Sequence, residues 1–312
     1  MREYDVLVVG GGAAGLSGAL ALVRSRRSVL VIDDGQPRNT SAAHVHNFLT
    51  RDGTPPSELT ALGRAEVARY GGQFATGTVT AVRHGEVFTV ELADGTTYRG
   101  RRILVTSGLT DVLPDVGGLA EQWGKDVLHC PYCHGWEVRD QAIGVLAVSP
   151  LGVHQAQLFR QLSDNITLLL HTGPELTDVQ REELAARQIA VVQGRVERLE
   201  VVDGKVTGVR LETGRLVPCD VLAIQPTLRA KADFLTELGL KATSRNAAGV
   251  TYGDALDVDP QGRTSVPGIF AAGNVTDPTA QVVHAAAAGV NAGEAINADL
   301  IAEETRSALE VR

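Results

Sequence analysis

The sequence has no long hydrophobic run. No stretch approaches the about 20 consecutive apolar residues that a membrane-spanning helix needs. We expect no export signal either, because residues 1–5 pass directly into a short apolar strand rather than into a long apolar segment. We therefore expect a soluble, cytoplasmic protein with no membrane contact.

An excess of positive charge is also absent. Aspartate and glutamate number 37 against 29 lysines and arginines, which gives a net charge of −8. Proteins bind nucleic acid through a basic face, so this balance argues against nucleic acid as a partner. The 312 residues are otherwise ordinary in composition, with 44% hydrophobic residues, and suffice for two domains.

Cysteine is scarce, with three residues in the whole chain. Cys130 and Cys133 are close together in sequence, whereas Cys219 stands alone before the apolar run at 221–224. In a reducing compartment such a pair indicates redox or metal chemistry rather than a structural disulfide. We interpret Cys219 as a structural residue.

A glycine-rich turn follows the first apolar strand, which is expected over residues 4–9. Residues 10–15 read Gly-Gly-Gly-Ala-Ala-Gly and fit the dinucleotide fingerprint G-x-G-x-x-G, with a helix expected over 13–23. The first glycine allows the tight turn, the second lets the backbone approach a pyrophosphate, and the third lets helix and strand pack closely. The cofactor-binding candidates here are Gly10, Gly12, Ala13, Ala14 and Gly15.

A carboxylate follows the second apolar strand, which is expected over residues 28–32. Asp33 can accept a hydrogen bond from a ribose 2′-hydroxyl, and Asp34 competes for the same role. Arg38 and Asn47, in the polar loop that follows, are further cofactor-binding candidates.

The remaining pattern predicts an α/β fold with two Rossmann-like units, the second inserted into the first. A second strand–helix–strand pattern begins near residue 142, and the tail returns with a strand at 269–272 and an Ala-rich helix over 279–304. We expect one discontinuous domain from residues 1–113 and 246–312. Residues 114–245 form the other domain and carry the cysteine pair.

Residues 130–137 carry the most chemical information, and they read Cys-Pro-Tyr-Cys-His-Gly-Trp-Glu. Two cysteines at this spacing can close a small disulfide loop. A helix N-terminus and a nearby imidazole would lower a thiol pKa and favour the reactive thiolate. His134 titrates near neutrality, so it can carry a proton to or from a leaving thiolate.

Metal binding is the alternative interpretation, because His129 and His134 flank the cysteine pair. Four ligands within six consecutive residues cannot readily surround one tetrahedral zinc ion, and no second C-x-x-C or histidine pair follows. Two inert buried cysteines are a further alternative. We expect redox chemistry and no metal site.

The C-terminal part carries a second cofactor signature. Residues 264–274 (Thr-Ser-Val-Pro-Gly-Ile-Phe-Ala-Ala-Gly-Asn) resemble the second flavin motif of the pyridine-nucleotide–disulfide oxidoreductases, and residues 106–108 (Thr-Ser-Gly) resemble that family's Ala-Thr-Gly turn. The resemblance implies FAD as the cofactor, with Gly108, Gly273 and Asn274 beside it. The family normally has Asp at position 274; an amide there can still donate and accept but brings no charge.

A helix is expected to begin near Thr279-Ala280-Gln281. In the family that the chain resembles, this helix aims its positive N-terminus at the flavin, which makes Ala280 and Gln281 cofactor-binding candidates. Thioredoxin reductases usually have Arg-Gln here. His284, one turn further on, is interpreted as a helix-face histidine.

The whole chain resembles the low-molecular-weight thioredoxin reductase family, and the string at 130–137 is most similar to its dithiol-oxidase branch, the gliotoxin- and holomycin-type enzymes. Those enzymes use FAD and oxygen to close a disulfide in a small dithiol. The resemblance implies that Cys133 faces the flavin, that Cys130 exchanges with substrate, and that His134 takes the acid/base position. It also implies a homodimer.

The middle domain departs from the reductase pattern at its nucleotide turn. Ala147 and Ser149 stand at the first two glycine positions, and Gly152 stands at the third. A side chain at the second position blocks the approach to pyrophosphate, and Pro150 removes a backbone N–H. His171 stands where reductases carry arginines for the 2′-phosphate. We expect NADPH to bind weakly or not at all.

The sequence therefore predicts an FAD-dependent enzyme that oxidises a small dithiol to a disulfide with oxygen as the electron acceptor. The first alternative reverses the electron flow, in a disulfide reductase supplied by NAD(P)H or by a protein donor such as ferredoxin. The second alternative is a flavin-binding redox sensor without enzymatic turnover.

Overall fold

The computed structural model describes residues 2–311. Its helices are α1 (Ala13–Arg24), α2 (Pro56–Arg69), α3 (Leu119–Gln122), α4 (Pro131–His134), α5 (Leu151–Phe159), α6 (Asp178–Ala186) and α7 (Val282–Glu310). Its strands are β1 (Glu3–Val9), β2 (Val29–Asp33), β3 (Gln73–Thr76), β4 (Val79–His84), β5 (Phe88–Leu92), β6 (Thr97–Val105), β7 (Leu109–Val112), β8 (Val127–Leu128), β9 (Ile143–Leu146), β10 (Ile166–Leu169), β11 (Ala190–Val192), β12 (Val196–Val202), β13 (Lys205–Leu211), β14 (Leu216–Pro218), β15 (Val221–Ile224), β16 (Thr227–Ala230), β17 (Thr243–Ala247), β18 (Val250–Ala255) and β19 (Ile269–Ala271). Three short 3-10 segments cover Arg38–Ser41, Asp233–Leu238 and Gly273–Val275.

The first sheet is built around β1. Its parallel strands lie in the order β3-β2-β1-β6-β19, and β5 and β4 continue antiparallel from the other half of β6. Counted along the chain, the parallel strands follow the order 3-2-1-4-5 of a doubly wound dinucleotide-binding sheet. Strand β6 is continuous through Gly100. Gly100 allows this because a Cβ there would lie 2.7 Å from the Leu7 side chain, on the strand that β6 pairs with.

Helices α1 and α7 cover one face of the first sheet and pack against each other. Small residues make this close approach possible, since a Cβ at Gly289 would lie 2.0 Å from the carbonyl oxygen of Ala14. A Cβ at Gly293 would likewise lie 2.7 Å from the carbonyl oxygen of Gly18. The glycine- and alanine-rich composition of α7 therefore reflects helix packing, which holds the start of α7 beside the start of α1.

The second sheet lies within the inserted segment and is parallel throughout, in the order β11-β10-β9-β15-β8. Its strands β11-β10-β9-β15 repeat the order found in the first sheet, as expected for a second dinucleotide-type unit. One face packs on α5 and α6 around Phe159, and the other packs on the antiparallel sheet β12-β13-β14 around Leu222. The predicted α/β fold class is confirmed.

A four-stranded sheet, β17-β18-β16-β7, lies where the chain enters and leaves the inserted segment. Strand β16 pairs antiparallel with β7, and the segment Asp233–Leu238 contributes Leu235 to the core of the first sheet. The division at residues 113 and 246 stays a prediction. From this pairing we propose to move its second boundary towards residue 226. Within residues 2–311, no helix is both long and apolar enough to cross a bilayer.

Candidate active site

A cavity of about 900 Å³ opens at the carboxyl ends of β1, β2 and β6. Ligand pockets measure about 300–1,000 Å³, so this one can take a large ligand. It runs from the glycine turn to the cysteine pair. Most predicted site residues line it, namely Gly10, Gly12, Ala13, Ala14, Asp33, Asp34, Arg38, Gly108, Asn274, Ala280 and Gln281 together with Cys130, Cys133 and His134. Gly15, Asn47 and Gly273 lie behind or beside the wall rather than on it.

Two of the three fingerprint glycines, Gly10 and Gly15, have no room for a side chain. Gly10 has φ 106°, and a Cβ there would lie 2.4 Å from the carbonyl oxygen of Thr106. A Cβ at Gly15 would lie 1.9 Å from the carbonyl oxygen of Gly10, so this residue lets α1 pack on the turn. Gly12 differs, because nothing lies within 4 Å of its absent Cβ. The space beside Gly12 is therefore open cavity.

Asp33, at the end of β2, faces the glycine turn. Its Oδ2 would lie 2.5 Å from a Cβ at Gly11, so a side chain at that position would displace the Asp33 carboxylate. Asp34 is exposed, and its Oδ1 accepts a hydrogen bond from the Gln36 backbone N–H at 2.9 Å. Of the two carboxylates, Asp33 is the better placed to reach a ligand in the cavity.

Arg38 forms an ion pair that the sequence did not indicate. Its Nε and Nη2 donate to the two carboxylate oxygens of Asp111 at 2.8 and 2.6 Å, and Nη1 lies 3.4 Å from Oδ1 of Asn274. The Asp111 side chain is only 8% exposed, so it needs this partner. Three chain segments thus converge on one wall of the cavity.

Asn274 organises the turn that leads into α7. Its Nδ2 donates to the carbonyl oxygens of Asp277, Pro278 and Ala280 at 3.0, 3.4 and 2.9 Å. An ionised aspartate has no donor and could not make these bonds. Gly273 precedes it with φ 80°, a backbone conformation that favours glycine.

The start of α7 lies three residues later than the predicted start at residue 279. The helix begins at Val282, with Gln281 as its N-cap, so Ala280 and Gln281 belong to the approach to the helix. His284 completes a capping box, because its Nδ1 lies 3.4 Å from the Gln281 backbone nitrogen, which donates to it. The helix-face histidine therefore has a capping role.

The cysteine pair lies at the start of α4. The two sulfurs are 2.6 Å apart, both side chains are half-buried, and both line the cavity. Pro131 occupies the first helical position, where its missing N–H costs no hydrogen bond. The pair is therefore close enough to interconvert between dithiol and disulfide while facing the cavity.

The two thiols differ in acidity. The Cys133 thiol and the backbone N–H groups of Tyr132 and Cys133 stabilise a thiolate on Cys130, with a smaller contribution from Arg38, and lower the pKa of Cys130 to about 7. The contact with Cys130 and burial raise the pKa of Cys133 well above the ordinary thiol range. In the reduced pair, the negative charge therefore resides on Cys130.

Histidines from two chain segments surround the pair. Burial lowers the pKa of His134 below its usual value, opposed by the nearby Glu137 carboxylate, so its ring is mostly neutral at pH 7. Glu137 also lies 3.3 Å from Nε2 of His46, from the loop before α2. Desolvation lowers the pKa of His129 to about 4, helped by the Arg38 charge. No cluster of metal-ligating side chains is found among the described residues.

Asn47 contacts the cysteine turn rather than the cavity wall. Its Nδ2 donates to the Tyr132 carbonyl oxygen at 2.7 Å and lies 3.5 Å from Oε1 of Gln281. Asn47 does not line the cavity wall, so its role in cofactor binding stays a prediction.

The second nucleotide turn is already hydrogen-bonded within the protein. Ser149 accepts hydrogen bonds from the N–H of Leu151, at its Oγ and 3.3 Å, and from the N–H of Gly152, at its carbonyl and 3.1 Å. A dinucleotide pyrophosphate would need N–H groups of this kind at the start of α5. His171 accepts from the Val196 N–H through Nδ1 at 3.0 Å, and burial lowers its pKa, so it is a neutral acceptor.

Comparison with known proteins places the chain in a family. The model of the pyridine nucleotide-disulphide oxidoreductases matches residues 4–289. The chain belongs to that family. Its members of this type are FAD-binding flavoproteins, and the protein is a thioredoxin-reductase-like disulfide oxidoreductase. The predicted family, fold class and cofactor are confirmed.

Relatives of this disulphide oxidoreductase match over nearly their whole length. Thioredoxin reductase sirT of Leptosphaeria maculans is 33% identical over 94% of this chain and 93% of its own. Thioredoxin reductase tcpT of Claviceps purpurea is 32% identical over 96% of this chain and 95% of its own. The crystal structure of HlmI is 45% identical with a TM-score of 0.91, and the match covers 99% of this chain and 96% of HlmI.

The cavity of this disulphide oxidoreductase fits FAD. Its volume suits a dinucleotide. A side chain at Gly10 or Gly15 would clash with the backbone of the turn, whereas the space beside Gly12 is open. The Asp33 carboxylate at the end of β2 lies beside the same turn.

Proposed function

We propose that this protein is a dithiol oxidase, which closes a disulfide in a small dithiol substrate and transfers the two electrons to oxygen. The proposal rests on the second nucleotide turn. There Ser149 accepts hydrogen bonds from two backbone N–H groups, and Pro150 has no N–H to donate. This turn therefore lacks the donors that would bind NADPH. The electrons instead come from a dithiol that reacts with the cysteine pair.

The cofactor residues are assigned on the geometry of the cavity. Gly10, Gly12, Ala13 and Ala14 at the N-terminus of α1 would hold the pyrophosphate of FAD, and Asp33 would hold a ribose hydroxyl. The other residues assigned to the cofactor are Gly108, Asn274, Ala280 and Gln281 on the opposite wall. Arg38 contributes through its ion pair with Asp111, which keeps this wall neutral.

The exchange begins at Cys130. A substrate thiolate attacks the Cys130 sulfur of the Cys130–Cys133 disulfide, that S–S bond breaks, and Cys133 leaves with an electron pair. Burial raises the pKa of Cys133, so the leaving sulfur takes up a proton, and the neighbouring His134 donates the proton that it took from the substrate thiol. The second substrate thiolate then attacks the mixed disulfide at the substrate's own sulfur.

This second attack closes the substrate disulfide and releases Cys130. The low pKa of Cys130 makes it a good leaving group, since thiols of low pKa leave faster. FAD, held by the residues assigned above, would supply the two-electron acceptor through which the Cys130 and Cys133 thiols return to the disulfide, with oxygen as the terminal acceptor and hydrogen peroxide as its product. The balance is one dithiol and one oxygen converted to one disulfide and one hydrogen peroxide.

Oxygen uptake with dithiothreitol and no nucleotide tests the proposal. The purified enzyme should consume oxygen and form hydrogen peroxide in equal amounts. Cys130→Ser and Cys133→Ser should each reduce uptake to background while the protein stays yellow, because the exchange needs both sulfurs. Cys219→Ser, at a buried position away from the cavity, should keep full activity.

A fully active Cys133→Ser enzyme would refute this scheme. Uptake that requires NADPH, NADH or reduced ferredoxin would favour the disulfide reductase instead. Flavin reduction by dithiothreitol without multiple turnovers would favour a redox sensor.

The proposal includes a cytoplasmic homodimer that needs no nucleic acid or membrane. Light scattering on the purified protein should give about twice the chain mass of 32.9 kDa, and a monomer mass would contradict this part.

A further inference from the structure

The loop before α2 touches the cysteine turn at its centre. Asn47 Nδ2 donates a hydrogen bond of 2.7 Å to the carbonyl oxygen of Tyr132, which lies between the two cysteines in sequence. The two partners are 85 residues apart in sequence. No other side chain within residues 2–311 is recorded as donating to that carbonyl.

The Tyr132 carbonyl shares its peptide unit with the N–H of Cys133. A trans peptide is planar, so its C=O and N–H point in opposite directions, and a donor that fixes one also fixes the other. This N–H donates a hydrogen bond to the Cys130 carbonyl oxygen at 3.3 Å. It is also one of the two backbone N–H groups that stabilise negative charge on the Cys130 sulfur.

Asn47 is itself held in place by its loop. Its φ of 61° is left-handed, a conformation that asparagine tolerates well, and its N–H donates to Oδ1 of Asp52 at 2.9 Å. Val45 and Thr54 pair across the base of the loop. His46, the preceding residue, makes a second contact with the cysteine segment through Glu137 at 3.3 Å.

We propose that Asn47 is a positioning residue for the attacked sulfur, Cys130, and acts through the Tyr132–Cys133 peptide. Its amide fixes the carbonyl of that peptide and thereby aims the N–H at Cys130. The inference rests on the proposed function for the part that Cys130 plays, but its test does not depend on oxidase turnover.

Other groups near the Cys130 sulfur are independent of Asn47. They are the Cys133 thiol, the Tyr132 backbone N–H and the Arg38 guanidinium. Asn47 side-chain hydrogen bonds recorded within residues 2–311 go to Tyr132 and Gln281 alone. Removing its amide therefore leaves those three groups in place.

Asn47→Gly removes the amide and keeps the left-handed backbone without strain. The holoenzyme is reduced with dithiothreitol, freed of it under nitrogen, and alkylated with iodoacetamide between pH 5 and 9. Peptide mass spectrometry follows Cys130 separately from the other cysteines. The apparent pKa of Cys130 alkylation should rise by about half a unit to one unit relative to the wild type, because one N–H is no longer aimed at the thiolate.

Thr50→Gly is the matched control, because Thr50 lies in the same loop and is also left-handed, with φ 72°. It should leave the Cys130 profile unchanged. Asn47→Asp, which lacks the donor and suits the same backbone, serves as a second variant and should raise the apparent pKa at least as much.

An unchanged Cys130 pKa in both Asn47 variants would overturn the inference. Faster alkylation at every pH with an unchanged pKa would also overturn it, since the loop would then only shield the turn. Failure of the wild type to consume oxygen would refute the proposed function and leave this result standing.

Discussion

His134 and the two cysteines form a graded set of proton-binding groups within five residues of chain. The pKa of Cys130 is lowered to about 7, that of Cys133 is raised, and that of His134 is lowered by burial. A neutral imidazole can accept the proton of an incoming thiol and return it to Cys133. The direction of each shift therefore suits the exchange that we propose.

His134→Gln should slow reduction of the cysteine pair by dithiothreitol by about 10²- to 10⁴-fold, the usual contribution of a general acid–base group. A lowered histidine pKa keeps the base neutral to lower pH. The wild-type rate should therefore fall only below about pH 6.5, where His134 becomes protonated and can no longer act as a base. The rate of the variant should show no such fall. Anaerobic stopped-flow between pH 5 and 8 measures both rates.

His154→Gln is the control, because His154 lies exposed on α5 and should leave the rate unchanged. A His134→Gln enzyme as fast as the wild type at pH 7 would remove His134 from the proton transfer.

Sequence reasoning at this scale found residues that occur in short motifs and missed residues that meet only in the fold. The cysteines and His134 stand in one string. No short sequence pattern indicated Asp111 as a site residue, because its partner Arg38 lies 73 residues away in another chain segment. The contact of Asn47 with Tyr132 spans 85 residues of sequence, so no pattern within the polar loop indicated it.

At the scale of elements, the strand–turn–helix at the N-terminus was predictable because three constraints act on adjacent residues. The turn needs φ 106° at Gly10, the helix needs close packing at Gly15, and the ligand needs space at Gly12. The start of α7 was less predictable. Asn274 fixes it by binding three carbonyls of the preceding turn, and that pattern depends on the folded turn rather than on helix propensity.

Gly12→Ala and Gly15→Ala should separate cofactor binding from folding. Gly12 has φ −78°, which alanine adopts, and its new methyl would enter open cavity, so stability should change by less than about 0.5 kcal/mol while FAD affinity falls at least tenfold. Gly15→Ala would place a methyl against the carbonyl of Gly10 and should cost about 1–3 kcal/mol of stability. Thermal melting of the apoprotein and fluorescence titration with FAD measure the two effects.

Wild-type FAD affinity in Gly12→Ala would show that the pyrophosphate does not lie at this turn. Apoprotein stability equal to wild type in Gly15→Ala would show that helix and turn can separate without cost.

At the scale of the whole molecule, two sheets of the same parallel order serve different purposes. The first sheet ends at the large cavity, and the second ends at a turn whose N–H groups Ser149 already binds. The sequence predicted both the duplicated fold and the loss of the second fingerprint, because each depends on local turn chemistry. The division at residues 113 and 246 stays a prediction, and the pairing of β16 with β7, which joins segments more than a hundred residues apart, supports our proposal of a second boundary nearer residue 226.

The most direct test of the account is the response of the flavin absorbance band in an oxygen-free cuvette. We predict that excess NADPH or NADH leaves the band unchanged, that dithiothreitol bleaches it, and that air restores it. Rapid bleaching by NADPH would contradict the account, because the turn at Ser149 and Pro150 would then bind a nucleotide and the protein would be a nicotinamide-dependent disulfide reductase.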